Sequence, residues 1–243
     1  MEVIRVSEFG DSNAMKVQNL PVPIPQETQV LIRLRATGVN PADSNIQNGT
    51  YGKRPKLPPG KDGAGIVERV GELVKKLKVG DRVFYCQRNG DGDGKGAYAH
   101  YVCCDQDEVF PLGERLSFTQ GAALGVPYMT AYRALVIKGE AAAGQTVLVH
   151  GASGSVGIAS VQLGRFLGLK VLGTAGTPEG IQAVKEQGAD FVFDHSKPGY
   201  MEEIKNTAGE KGIDLIVEML SNANLGENLG LLASRAKVLV CKM

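Results

Sequence analysis

The residues Gly151-Ala-Ser-Gly154-Ser-Val-Gly157 carry the clearest chemical signal in this chain. They follow the apolar run TVLVH (146–150) and lead into the helix-like stretch SVGIASVQLGRFLG. Gly151 permits a tight turn, Gly154 lets backbone approach a pyrophosphate, and Gly157 lets the helix pack close to its strand. Exposed N–H groups and the dipole at the helix start attract phosphates. The spacing alone also fits a phosphate-free turn, since the chain holds 32 Gly. Its place between a buried strand and a helix points instead to a bound dinucleotide. An acid about twenty positions on would take the ribose 2′-OH of NAD. The second strand ends Leu172-Gly173-Thr174-Ala175-Gly176, without one, which leaves room for a 2′-phosphate. No Arg or Lys lies in that turn and Glu179 opposes an anion, so local residues tilt only slightly towards NADPH over NADH.

Other chemistry is sparse. No Ser/His/Asp or Cys/His set stands out, and no catalytic residue is identified. His100, in an alternating segment, and His150, directly before the glycine turn, read as structural. Cys86, Cys103, Cys104 and Cys241 lack the paired spacing of a structural zinc lobe, and two adjacent cysteines do not make a disulfide framework. Asp91-Gly-Asp93-Gly-Lys95-Gly96 begins like a calcium loop, but Val102 stands where a bidentate Glu is required. It reads as a hairpin tip.

Two kinds of element must position these groups. Up to about residue 116, short strand-like runs (VIRVSEFG, VLIRLRATGV, GAGIVERVG, DRVFYC, AYAHYVCC) alternate with Pro- and Gly-rich turns, the pattern of a small barrel or sandwich. From Ser117 the pattern changes. Ser117-Phe-Thr-Gln120 fits a capping box, and Pro127 is expected to open the helix YMTAYRALVIK at its first position. The apolar runs TVLVH, KVLGT, DFVFD, IDLIV and KVLVC then alternate with helical stretches. Such runs mean a parallel sheet covered on both faces, hence an α/β, doubly wound second half. Thr177-Pro178-Glu179 starts one of its helices and Gly188 stops it. The boundary is expected near residue 120, giving domains 1–120 and 121–243.

Composition fits this plan. Lys+Arg 27 against Asp+Glu 26 leaves a net charge of +1, with no basic cluster of the kind that reads nucleic acid. No apolar run reaches the roughly 18 residues of a membrane span, and the start MEVIRVSEFG has no secretory signal pattern. The expectation is a soluble cytoplasmic protein with no membrane partner.

The segments GVNPAD (38–43), NGTY (48–51), PGKDGAG (59–65), GDRVF (80–84), QGAALGVPYMTAYRAL (120–135), VLVHGASGSVG (147–157), GTAGT (173–177) and EKGIDLIVEML (210–220) resemble the zeta-crystallin type of zinc-independent quinone oxidoreductase, in the medium-chain dehydrogenase/reductase superfamily. The resemblance runs over residues 3–240. It implies a GroES-like domain, a Rossmann domain, and NADPH bound in the cleft between them. It also implies reduction of a quinone, by one-electron transfer to ortho- and para-quinones in zeta-crystallin. Residue by residue it places the diphosphate on Ser153, Gly154, Ser155 and Val156, within the turn Gly151–Gly157. Gly176 and His195 fall near the adenosine end, and Asn224 matches a cofactor position after the fourth strand. Asn40, Tyr51 and Thr130 match the nicotinamide and quinone pocket. Asn40 also reads as a turn residue, His195 as a solvated strand end, and Thr130 as helix-surface packing.

Zinc-dependent relatives use a Cys and a Gly-His-Glu segment where this chain has Asn40 and Gly60-Lys61-Asp62, so no metal is expected. Asn45 stands where members of the family carry a Tyr near the cofactor, so the resemblance implies a lost stacking surface. Relatives continue past the fifth strand with a Gly-Ser-Arg-type turn, a sixth strand and a tail, whereas this chain stops at Val240-Cys241-Lys242-Met243. The resemblance therefore implies a Rossmann domain without its last strand, an open apolar edge, loss of the family's homo-oligomer pairing, and weakened or absent catalysis. Two alternatives are an RNA-binding or structural, crystallin-like protein, and an inert nucleotide-binding fragment. RNA rests on the family alone.

Overall fold

A computed structural model describes residues 1–6, 9–10, 12–50, 59–87 and 96–241. Two units, Met1–Val126 and Pro127–Lys242, each enclose their own apolar clusters.

In the first unit β1 (Glu2–Val6) and β2 (Met15–Asn19) make an antiparallel ribbon. An antiparallel sheet in the order β6-β3-β4-β5-β7 contains β3 (Gln29–Thr37), β4 (Asp62–Val70), β5 (Arg82–Cys86), β6 (Tyr101–Asp105) and β7 (Val109–Pro111). Alternation drives it. Val83 and Tyr85 of β5, Val102 and Cys104 of β6, and Val30, Ile32 and Val67 point to one side and form the core. Pro111 ends an edge strand, where a missing N–H costs no ladder bond. A short helix, α1 (Pro41–Gln47), starts with its proline at the first position.

α2 (Phe118–Ala122) carries the expected capping box, with both Ser117 and Gln120 exchanging backbone–side-chain bonds. Pro127 does not open the next helix. α3 (Gly125–Tyr132) begins at Gly125, so Pro127 is its third residue. The physical reason is remote: the Val126 amide donates to Asp62 Oδ2 at 2.7 Å, a cap supplied from 64 residues away. Beyond α3, residues Arg133–Lys138 widen into a π-helical turn, with Gly139 N donating to Ala134 O at 2.7 Å.

The second unit is a parallel sheet in the order β10-β9-β8-β11-β12. Its strands are β8 (Thr146–Val149), β9 (Lys170–Ala175), β10 (Phe191–Asp194), β11 (Ile213–Glu218) and β12 (Leu232–Val240). α4 (Ser155–Phe166), α5 (Pro178–Glu186), α6 (Tyr200–Ala208) and α7 (Ser221–Asn228) connect them. Val147, Val149, Leu215 and Val217 pack on one face, Leu148, Leu172, Ile213 and Ile216 on the other. Burial on both faces is why these strands read as unbroken apolar runs. Thr177 caps α5 as expected, and Gly188 follows with φ +98°. β12 starts five residues before the expected KVLVC run, because the polar segment Ala233-Ser-Arg-Ala236 extends it around a register shift against β11. No helix among the described residues is long and apolar enough to cross a membrane.

Candidate functional site

The strand order reverses between β8 and β11, the place in such sheets where a crevice opens at the carboxyl ends. The glycine turn lies there. Gly151 adopts φ +58°, which a side chain would resist. β9 holds its entry: Gly151 N donates to Thr174 Oγ1 at 3.1 Å and Ala152 N to Thr174 O at 2.8 Å. Inside the turn Gly154 N donates to Gly151 O at 3.0 Å. No side chain caps α4. Ser153 and the first helical amides of Ser155, Val156 and Gly157 have no acceptor among the described residues. Ser153, Gly154 and Ser155 are exposed, so this end of the turn opens onto solvent, while Val156 and Gly157 are buried behind it.

The glycines have distinct physical roles. A Cβ at Gly157 would stand 2.4 Å from Gly151 O and 2.6 Å from Ala152 Cα, both backbone atoms. A Cβ at Gly154 would meet only Gly151 O, at 3.4 Å, so nothing in the protein requires glycine there. That open approach, with uncapped donors around it, is a cradle for a diphosphate. The donor set fits a dinucleotide.

Gly176 and His195 come together: a Cβ on Gly176 would lie 2.5 Å from His195 Nε2. Ser153 is equally near the start of α5, its Cβ 3.2 Å from one built on Gly180. Asn224, half-buried on α7, donates its amide to Glu218 Oε1 at 3.1 Å. Thr130 lies on α3. Tyr51 lies outside the described residues, as does most of the calcium-like loop, 91–95.

Asn40 belongs to a buried polar group of the first unit. Its Nδ2 donates to Asp62 Oδ1 at 2.8 Å, and its backbone N–H to Asp43 Oδ2 at 2.9 Å. Tyr98 Oη donates to the same Asp43 oxygen at 3.2 Å. Burial pushes the carboxyls of Asp43 and Asp62 above their usual range. The donor set does not fit zinc: Asn40 and Asp62 bond each other, Lys61 offers a cation in place of a ligand, and no group of three metal-binding residues occurs among the described residues. Cys86 and Cys241 do not offer a nucleophile either, since burial pushes Cys86 up to about 12 and raises Cys241.

Two acids are central to this geometry: Asp62, which in the sequence marks only a departure from the zinc-type Gly-His-Glu segment, and Glu218, which no motif or spacing singles out. Glu218 is fully buried at the carboxyl end of β11. Its Oε2 accepts from Asn228 Nδ2 at 2.6 Å, and its Oε1 from Leu220 N at 2.5 Å. Asn228 Oδ1 is 2.8 Å from Nε2 of the buried His150. An acid closing the apolar run Leu215-Ile-Val217 is the available signal.

An antiparallel sheet unit followed by a doubly wound unit with a glycine turn at its switch point defines a dinucleotide-dependent medium-chain dehydrogenase/reductase. Family profiles agree: "Alcohol dehydrogenase GroES-like domain" matches residues 26–114 and "Zinc-binding dehydrogenase" residues 155–243. Human quinone oxidoreductase is 48% identical over 99% of this chain and 72% of its own length, and the mouse protein 49% identical with the same coverage. The crystal structure of Escherichia coli quinone oxidoreductase complexed with NADPH matches at TM-score 0.86 and 29% identity, over 98% of this chain and 72% of that one. This chain belongs to the quinone oxidoreductase (zeta-crystallin) family, with a GroES-like and a Rossmann-like domain.

Proposed function

We propose that this protein is an NADPH-dependent quinone reductase. The observation that carries the reading is the uncapped glycine turn at the switch point of the parallel sheet. When bound, reduced nicotinamide supplies the electrons for the quinone. The chain's own part is placement. The amides of Ser153, Ser155 and Val156 bind the diphosphate, Gly154 leaves the space for its approach, and Gly151 and Gly157 shape the turn. Gly176 and His195 border the adenosine end, and Asn224 the loop after β11. By the family resemblance, Asn40, Tyr51 and Thr130 are the residues proposed for the nicotinamide and quinone pocket. A quinone accepts electrons readily, so orientation and exclusion of water suffice without a dedicated acid. The reading places the protein in the cytoplasm, where its four free cysteines stay reduced.

The test is a titration with NADPH and with NADH, read by nicotinamide fluorescence in a chain with no Trp. A quinone turnover assay follows it. Tighter NADPH binding with turnover supports the reading. Binding of neither cofactor, or binding without turnover, overturns it.

Cofactor choice gives a sharper variant. Glu179 is the exposed acid in the first turn of α5, three residues after Gly176. Reversing its charge is worth about 1 kcal/mol to a nearby phosphate at the surface. Glu179→Lys is therefore expected to tighten NADPH about fivefold and to leave NADH unchanged. It should cost about 0.5 kcal/mol of stability, because a cation replaces an anion at a helix N-terminus. Equal tightening of both cofactors would place Glu179 away from the 2′-phosphate.

A further inference from the structure

We infer that Glu218 is a positioning residue for the dinucleotide, acting through Asn228 and His150 to fix both banks of the crevice at the switch point. The inference rests on the reading above that the chain binds NADPH.

A fully buried carboxylate is expensive unless its oxygens are satisfied. Every partner of Glu218 lies at the cofactor end of the sheet. Leu220 N and Asn224 Nδ2 meet Oε1 at 2.5 and 3.1 Å, and Asn228 Nδ2 meets Oε2 at 2.6 Å. These bonds hold the loop after β11 and α7 against the strand. Between Glu218 and Leu220 stands Met219, whose Cγ would lie 3.8 Å from a Cβ built on Gly151. The clamped loop thus forms the wall beside the glycine turn.

The other bank is reached through donor and acceptor polarity. Both Glu218 oxygens only accept, so Asn228 must turn its NH2 to them and its Oδ1 to His150. His150 must then carry its proton on Nε2. His150 directly precedes Gly151, and its backbone N–H donates to Val217 O at 3.0 Å. One polar chain, carboxylate to amide to imidazole, runs from the loop after β11 to the entry of the glycine turn. The backbone ladder already aligns the strands. What the side chains add is the setting of the two loops that face the cofactor.

Glu218→Gln reverses the chain. Its amide NH2 would face the Asn228 NH2, and relief requires Asn228 to flip and His150 to move its proton to Nδ1. The swapped pair Glu218→Gln/Asn228→Asp restores every polarity. The amide now at position 218 donates to the carboxylate now at position 228, which also accepts from His150 Nε2. Glu218→Gln and Asn228→Asp are each expected to weaken NADPH about tenfold by fluorescence titration. KM for NADPH should rise in step while kcat with quinone stays within twofold. The double variant should return to within threefold of wild type. His150→Leu cuts the chain at its far end, removing an imidazole whose Nε2 also stands 3.8 Å from Glu218 Oε2, and should weaken NADPH severalfold even if Glu218→Gln fails to fold.

Wild-type affinity in Glu218→Gln or in His150→Leu overturns the inference. So does a double variant no tighter than the weaker single, since a merely structural carboxylate predicts added damage and not rescue. Wild type that binds NADPH but reduces no quinone removes the proposed activity and leaves this test readable. Wild type that binds no NADPH removes both.

Discussion

Gly157→Ala is expected to weaken NADPH binding at least about 100-fold, the largest effect of any single methyl group in the second unit. The added Cβ would stand 2.4 Å from Gly151 O, 2.6 Å from Ala152 Cα and 2.7 Å from Ala152 C. No rotamer relieves a clash with backbone, so the turn itself must move, at about 3 kcal/mol. The amides that aim at the diphosphate move with it. Gly154→Ala supplies the control. Its Cβ meets one atom at ordinary contact distance and its φ is −76°, so the thermal midpoint should stay at the wild-type value. Binding should still fall, because the methyl group fills the space the pyrophosphate needs. Circular dichroism, thermal melts and NADPH fluorescence separate the two cases. Equal melting loss in both variants would show that glycine at 157 is not a packing requirement.

Asp62→Ala is expected to destabilise the first unit by about 2–4 kcal/mol, read as a shift in denaturant midpoint. Asp62 is 1% exposed and wedged between glycines: Cβ atoms at Gly38 and Gly125 would lie 2.2 Å from its Oδ1 and 2.4 Å from its Cβ. It is the acceptor for Val126 N and Asn40 Nδ2, and removal strands both donors. Asp62→Asn should recover part of the loss, since one amide oxygen can still accept from Val126. Full stability in Asp62→Ala would mean water replaces the carboxylate without cost.

The pH dependence has a definite sign. Burial raises the folded pKa of Asp43 and Asp62 above 3.8, so the folded unit holds protons that the unfolded chain has released. Their contribution is most favourable below the unfolded pKa and is lost as pH rises through the folded pKa. Wild type should therefore lose stability relative to Asp43→Asn across that window. A constant difference, or one of opposite slope, would contradict the burial argument.

The second unit is readable in sequence because its chemistry is local. TVLV is buried at every position, and the glycine turn sits between it and α4 within one stretch of chain. β2 is the opposite case: MKVQN is almost wholly exposed, so no apolar alternation announces it. α1, with Pro41-Ala-Asp-Ser-Asn-Ile-Gln47, is too short for a helical period. The start of α3 is hidden because its cap is Asp62, distant in sequence, while Pro127 offers a plausible local start. The resemblance to known quinone oxidoreductases points to the turn residues, Gly176, His195 and Asn224. The acids behind them have meaning only when their partners are known, and those partners lie on other elements. His150 shows this best: next to Gly151 it looks structural, and its polar partners, Glu218 and Asn228, lie 68 and 78 residues on.

That separation has a kinetic consequence. β8 and β11 are neighbours in space, yet a whole series of strands and helices must be made between them. Closing so long a loop is entropically unfavourable until the intervening crossovers have packed. The two banks of the crevice should thus meet late in folding, after the β8–β9–β10 side has assembled. A chain caught before that step would have its glycine turn built and its opposite wall missing. NADPH added during refolding should then leave the early phases untouched and act only on the last.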